Sequence, residues 1–230
     1  MTPEDSPDIG AELAGRPALL RDACERALRY LDKVADRPVA PGKQAVAGLD
    51  ELEFPLPRQG LGAARALHVL DEAGSPATVA SNGPRYFGFV IGGALPAAQA
   101  AAWLTTAWDQ NAALTVMSPV AARCSEVAAG WIGGLLGLPP GVACAFVTGA
   151  TMANATCLAA ARDEVLARRG WDAAGQGLVG APAVTVVAGG EVHSTLRMAL
   201  GIVGLGRDRA TLLPVDDQGR ILARDLPALT

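Results

Sequence analysis

No uninterrupted apolar run in this chain reaches the length needed to cross a bilayer. The longest candidate, residues 91–108, opens on Gly92-Gly93 and carries Pro96, Gln99 and two threonines, so it is read as a buried helix. The start, Met-Thr-Pro-Glu-Asp-Ser-Pro-Asp, lacks the basic stretch and apolar core of a secretion signal, which points to a soluble, cytoplasmic protein with no membrane partner. A basic stripe is missing too. The net charge of -4 and pI near 5.2, with no basic stripe to neutralise a phosphate backbone, argue against nucleic acid as a partner. Cys24, Cys124, Cys144 and Cys157 show no C-x-x-C spacing and sit among apolar neighbours, so core packing is expected, not metal binding or disulfides.

What is present is a small-residue-rich α/β pattern. The 230 residues are 50% hydrophobic, with mean hydropathy +0.27, enough for a core in one or two domains. Leu20, Ala23, Ala27, Leu31 and Val34 recur at helical spacing between charged residues, so this helix must bury a stripe, most simply against its own domain. Proline-punctuated connectors, Arg37 to Gly42 and Phe54-Pro55-Leu56-Pro57, lead to a short helix at 62–73, in which His68 is assigned to packing or surface. A helix is expected at 96–108. A second carries the stripe Val120, Cys124, Val127, Ala128, Trp131 and Leu135, and Gly137 and Pro139-Pro140 end it. A strand at 144–148, a helix at 152–168, a loop at 170–182, a strand at 184–188, a helix at 195–203 and a strand at 211–213 then alternate. That order implies a mainly parallel sheet with helices on both faces.

At 143–152 the sequence reads Ala-Cys-Ala-Phe-Val-Thr-Gly-Ala-Thr-Met. An apolar segment breaks at Gly149 and passes through Ala150-Thr151 into a helix, so unpaired N–H groups and a hydroxyl converge where an anion can sit. Thr151 either caps the helix or donates to a phosphate oxygen. From spacing alone, an ordinary strand-to-helix turn is the simpler reading.

The company this turn keeps changes that balance. Pro84-Arg85-Tyr86-Phe87-Gly88-Phe89-Val90, Trp108-Asp109-Gln110-Asn111, Ser118-Pro119, Trp131 with Leu135-Leu136-Gly137-Leu138-Pro139, the turn with Asn154, Ala160-Ala161-Arg162 and His193-Ser194-Thr195 stand in order along the chain. Together they resemble the pyridoxal-phosphate-dependent amino-acid decarboxylases, the group II enzymes that include aromatic amino-acid and glutamate decarboxylases. The resemblance runs from about Arg26 to the end of the chain.

That resemblance implies a fold-type I α/β domain, the fold of the pyridoxal-phosphate-dependent transferases. Residues 1–80 would form an N-terminal helical segment packed across a two-fold axis as a dimer clasp, and 81–230 the first part of the cofactor-binding domain. It implies pyridoxal 5'-phosphate as cofactor, with Ala150 and Thr151 at its phosphate, Asn154 one turn further along the helix, and no metal. His193 matches the histidine that stacks on the cofactor ring; by itself it also reads as a polar residue at a helix start. Phe89, Val90, Ile91 and Gly92 match the segment shaping the substrate pocket, and Asp109-Gln110-Asn111 lies near the site. The expected reaction is decarboxylation of an L-amino acid to an amine and carbon dioxide.

The chain departs from that pattern in one respect that bears on chemistry. The Schiff-base lysine and the aspartate that pairs with the pyridine nitrogen lie, in such enzymes, beyond the stacking histidine. Here the only lysines are Lys33 and Lys43, and Asp208, Asp216, Asp217 and Asp225 lie in loops or a short helical turn. The expectation is therefore a truncated domain, inactive alone, whose partner is a homodimer mate or a complementing C-terminal half. A non-catalytic subunit retaining phosphate binding and dimerisation is the alternative. An aminotransferase or carbon–sulfur lyase of the same fold fits Tyr86-Phe87-Gly88-Phe89 and Asp109-Gln110-Asn111 less well.

Overall fold

In the computed structural model residues 9–57 and 60–226 are described; the acidic start discussed above lies outside them. They divide into two compact units, one up to Gln110 and one from Asn111.

The first unit is helical. Helix α1, Ile9–Lys33, carries the anticipated stripe: Ala23, Ala27 and Leu31 are half-buried, while Leu20 stays exposed. Short helices follow at α2, Lys43–Ala47, at α3, Ala63–Val69, and at α4, Ser75–Ala77. A single wider turn, Leu70–Gly74, joins α3 to α4, so the helix expected at 62–73 is present as α3 continued by a π-type turn, with α4 added beyond it. An ionic staple fixes α1 here: the Arg26 guanidinium donates to Asp22 at 3.0 Å and to Asp71 at 2.8 Å. Ser75 in turn donates to Asp71 at 2.6 Å. Arg37 stacks 4.7 Å from the Tyr30 ring centroid, and the Tyr30 hydroxyl is 2.9 Å from Thr78 Oγ1. His68 is half-exposed with Nδ1 4.0 Å from Glu72, a surface position. Helix α5, Pro96–Trp108, falls where the sequence placed it, with Pro96 preset for a first turn and Asp109 ending it in a left-handed conformation.

In the second unit, α6 spans Pro119–Leu135 and α7 spans Ala150–Ala167. A one-turn helix α8, Ala173–Gln176, interrupts the loop expected at 170–182, because the Asp172 carboxylate accepts the N–H groups of Ala174 and Gly175. Strand β1, Val187–Gly189, helix α9, Ser194–Ile202, and strand β2, Thr211–Leu213, make a βαβ unit. The strands are parallel, with Val187 opposite Thr211 and Gly189 opposite Leu213. Parallel strands need such a crossover to run the same way. The core of this unit is the α7–α9 contact: Ala155, Ala199 and Val203 are buried, flanked by Leu158, Ala159 and Leu205. Alanines at the crossing let the two helices approach closely. The Arg162 side chain, only 16% exposed, donates to the Val203 carbonyl at the end of α9 and to Asp163, tying the two helices at their far ends.

Several expectations are corrected. Residues 144–148 belong to no strand, because a strand exists only where a ladder partner stands beside it, and among the described residues the sheet is β1 and β2 alone. The strand expected at 184–188 begins later, at Val187, where pairing with Thr211 starts. The 91–108 segment is not a buried helix: α5 has no buried residue, and Trp103, Leu104 and Trp108 are exposed. On α6, Val127 and Ala128 are half-buried, whereas Val120, Cys124, Trp131 and Leu135 are exposed. Cys124, Cys144 and Cys157 are exposed as well and Cys24 is half-buried, so none packs in a core. Apolar pattern sets which face wants burial, and burial itself needs a neighbour, which these faces lack among the described residues.

Candidate functional site

Helix α7 starts without a side-chain cap. Gly149 precedes it with φ 155° and ψ 172°, a region open essentially to glycine alone, and a side chain there would meet no atom within 4 Å. The first intrahelical bond runs from Ala153 N–H to the Gly149 carbonyl at 3.0 Å, so the N–H groups of Ala150, Thr151 and Met152 precede the helical ladder. Ala150 is exposed and Thr151 half-buried. The helix therefore presents an unobstructed cluster of donors with the positive end of its dipole behind it.

Helix α9 starts differently. His193 is its N-cap, and the ring Nδ1 accepts the backbone N–H of Thr195 at 3.2 Å. The Thr195 hydroxyl is 2.9 Å from the same Nδ1. Asn154, one turn into α7, donates through Nδ2 to that hydroxyl at 3.4 Å. His193 stands four residues beyond the end of β1, where loops leave the carboxyl ends of parallel strands and where ligands bind in open α/β sheets. Gly189 packs tightly there: a Cβ on it would stand 3.0 Å from a Val215 methyl, so that side chain would have to give way.

Of the residues singled out from sequence, the structure brings Ala150, Thr151, Asn154 and His193 together on the adjoining starts of α7 and α9. His193 caps α9 and is exposed, which is the helix-start position read from sequence. Thr195, which stands in the His193-Ser194-Thr195 block, is the member to which the sequence assigned no role. The signal was a hydroxyl two residues after a histidine at a helix start, the spacing of a side chain closing back on the backbone.

Phe89, Val90, Ile91 and Gly92 lie in the first unit, in a loop held by Arg85, which donates to the Arg37 carbonyl at 2.6 Å, and by Asn82, which accepts the Ala94 N–H at 2.8 Å. Phe89 and Val90 have φ of 55° and 54°, left-handed values that cost non-glycine residues about 1–3 kcal/mol each. Both side chains are almost wholly exposed. Gln110 and Asn111 make local bonds, to the Trp108 carbonyl at 3.0 Å and from the Ala113 N–H at 3.0 Å respectively.

The fold defined by these elements recurs in solved structures. Mouse CSAD superposes with a TM-score of 0.81 at 22% identity, covering 92% of this chain and 44% of that one. Oryza sativa TDC, solved with PLP and tryptamine, gives 0.75 at 23% identity over 89% of this chain and 42% of that one. The glutamate decarboxylase domain of a diaminobutyrate-pyruvate transaminase and L-2,4-diaminobutyrate decarboxylase from Vibrio parahaemolyticus gives 0.74 at 18% identity, over 86% and 44%. The chain thus has the α/β fold these structures share, the fold-type I architecture expected from sequence, and spans less than half the length of each. No protein-family model matches the sequence, and no curated protein matches it.

Proposed function

We propose that this chain supplies the phosphate-binding and ring-positioning part of a pyridoxal-phosphate-dependent amino-acid decarboxylase. One observation carries the reading: the uncapped, exposed start of α7 adjoins a histidine at the carboxyl end of a parallel strand, linked through Asn154 and Thr195. A phosphate with nearly two negative charges fits that donor cluster, and Gly149 leaves the approach clear. The N–H groups of Ala150 and Thr151 with the Thr151 hydroxyl hold the phosphate, Asn154 braces the site from the next turn, and His193 lies against the cofactor ring. When bound, the cofactor is the electron sink for the pair left behind as the substrate carboxylate departs as carbon dioxide. The exposed Phe89 and Val90, with Ile91 and Gly92, contribute apolar surface for the amino-acid side chain. Residues 1–80 act as a clasp in a homodimer and 81–230 as the first part of the cofactor domain, in a cytoplasmic lyase.

The alternative is a phosphate-binding subunit without activity of its own. The second unit contains no lysine; Lys33 ends α1 and Lys43 begins α2, both in the first unit. The two readings share a first test. Equilibrium dialysis of the chain against pyridoxal phosphate is expected to show binding that inorganic phosphate displaces, and no displacement, or no binding, rejects both. Carbon dioxide release from labelled L-amino acids then separates them. Borohydride treatment of the loaded chain should leave Lys33 and Lys43 unmodified; specific labelling of either one at full occupancy would mean that this chain carries the cofactor by itself.

A further inference from the structure

We infer that Thr195, and through it Asn154, decide which ring nitrogen of His193 carries the proton, so that the ring presents Nε2–H as its free donor. Only the identity of what that donor meets rests on the cofactor reading; the tautomer rests on geometry.

Nδ1 accepts the Thr195 N–H at 3.2 Å, which requires a lone pair on that nitrogen. The Thr195 hydroxyl, with one proton and two lone pairs, lies 2.9 Å from the same atom. Asn154 Nδ2 donates into that oxygen at 3.4 Å. With one lone pair of Oγ1 engaged by an amide and Nδ1 acting as an acceptor with no proton to give, the hydroxyl proton is directed to Nδ1, where it shares the single lone pair with the Thr195 N–H. The proton of the neutral imidazole then sits on Nε2, since the bond made by one nitrogen sets the state of the other. Nε2 has no hydrogen-bond partner among the described residues. The relay is held by packing: Asn154 precedes the buried Ala155 on α7, and Thr195 stands one turn before the buried Ala199 on α9, so the Asn154–Thr195 distance follows from the helix crossing. Asn154 and Thr195 are therefore positioning residues, and His193 offers a donor where the opposite tautomer would offer an acceptor. In a decarboxylase site such a donor suits the substrate carboxylate.

The chain has two histidines, so the ring-nitrogen NMR spectrum of uniformly 15N-labelled protein contains two imidazoles, and His68→Gln leaves one. At a pH where the ring is neutral, His193 is expected to show a pyridine-like Nδ1 and a pyrrole-like Nε2. Thr195→Val removes the hydroxyl donor and should move the tautomer ratio about fivefold toward Nδ1–H, the equivalent of one ordinary hydrogen bond. Thr195→Ser should restore the parent spectrum. Asn154→Asp should move the ratio in the direction of Thr195→Val, because a carboxylate takes the hydroxyl proton and turns an oxygen lone pair toward Nδ1; it tests the relay even if Thr195→Val fails to fold. A parent ring protonated on Nδ1, or one unmoved by both Thr195→Val and Asn154→Asp, overturns the inference. Pyridoxal phosphate binding in the same samples reports separately: the Nε2–H ring without cofactor retention overturns the cofactor reading and upholds the relay, whereas retention with a tautomer-averaged ring overturns the relay alone.

Discussion

The starts of α7 and α9 lie side by side and are built from similar residues, yet one is closed and the other open. At α9, His193 turns its own ring back onto the Thr195 N–H, so the helix satisfies part of its unpaired backbone internally. At α7, Gly149 has no side chain to do so, and no side chain caps the N–H groups of Ala150, Thr151 and Met152. A helix that caps itself has used the donors an anion would want. The open start is the one suited to a ligand, and the closed start serves by holding a side chain beside it.

The largest expected effects act on each start separately. Thr151→Val should weaken retention of pyridoxal phosphate by about 1.5–3 kcal/mol, the worth of one hydrogen bond to a charged group, with the melting curve unchanged. Dialysis read beside calorimetry checks both halves of that statement; a variant that binds as the parent does would mean the hydroxyl takes no part at the open start. Arg162→Ala should do the reverse. Losing the bond to the Val203 carbonyl removes about 1.5–3 kcal/mol of stability in urea unfolding, because α9 is released at its far end while α7 keeps its donors.

Gly149→Ala should cost about 1–3 kcal/mol, since only glycine adopts φ 155° with ψ 172° at ease, and binding should fall with stability as the open start rearranges. His193→Ala opens the closed start. Loss of the cap is expected to lower stability by about 0.5–2 kcal/mol in urea unfolding. Under the proposed function, turnover of an assembled enzyme should fall far more than cofactor affinity, because the proposed backbone contacts to the phosphate would survive while ring orientation would not. Equal losses in both would undo the division of labour between the two starts.

The smallest effect lies away from both starts. Neither α7 nor α9 has an acidic residue in its first turn, so acid should act first elsewhere. The Asp71 carboxyl titrates below the ordinary 3.8, held down by the Ser75 hydroxyl and then by the Arg26 guanidinium. Its depressed value means that the stability it contributes is complete above the unfolded carboxylate range and is lost as pH falls through its folded value. Stability measured from pH about 5 downward should decline, and Asp71→Asn should flatten that decline. An unchanged acid limb in the variant would assign the pH dependence to other carboxylates.

Local chemistry was legible from sequence alone. Helix α5 begins at Pro96 and ends at Trp108 as read, and β2 occupies Thr211–Leu213, because proline, glycine and the spacing of apolar residues act within a few positions of themselves. Ala150, Thr151, Asn154 and His193 were legible as positions in a motif. What they do to one another was not: Thr195 connects two of them only because α7 and α9 cross at Ala155 and Ala199, 44 residues apart in number.

The sequence by itself determined where the longer helices lie, which of their faces are apolar, that a glycine opens α7, and that the second unit has no lysine. Tertiary structure alone decided that residues 144–148 stay outside the sheet, that the apolar faces of α5 and α6 stay exposed, and that Asn154 reaches the histidine through a threonine. The physical reason is the same in each case. Helix bonds close within four residues, whereas a ladder, a buried face and a hydrogen-bond relay each need a partner from a distant part of the chain, brought there by packing.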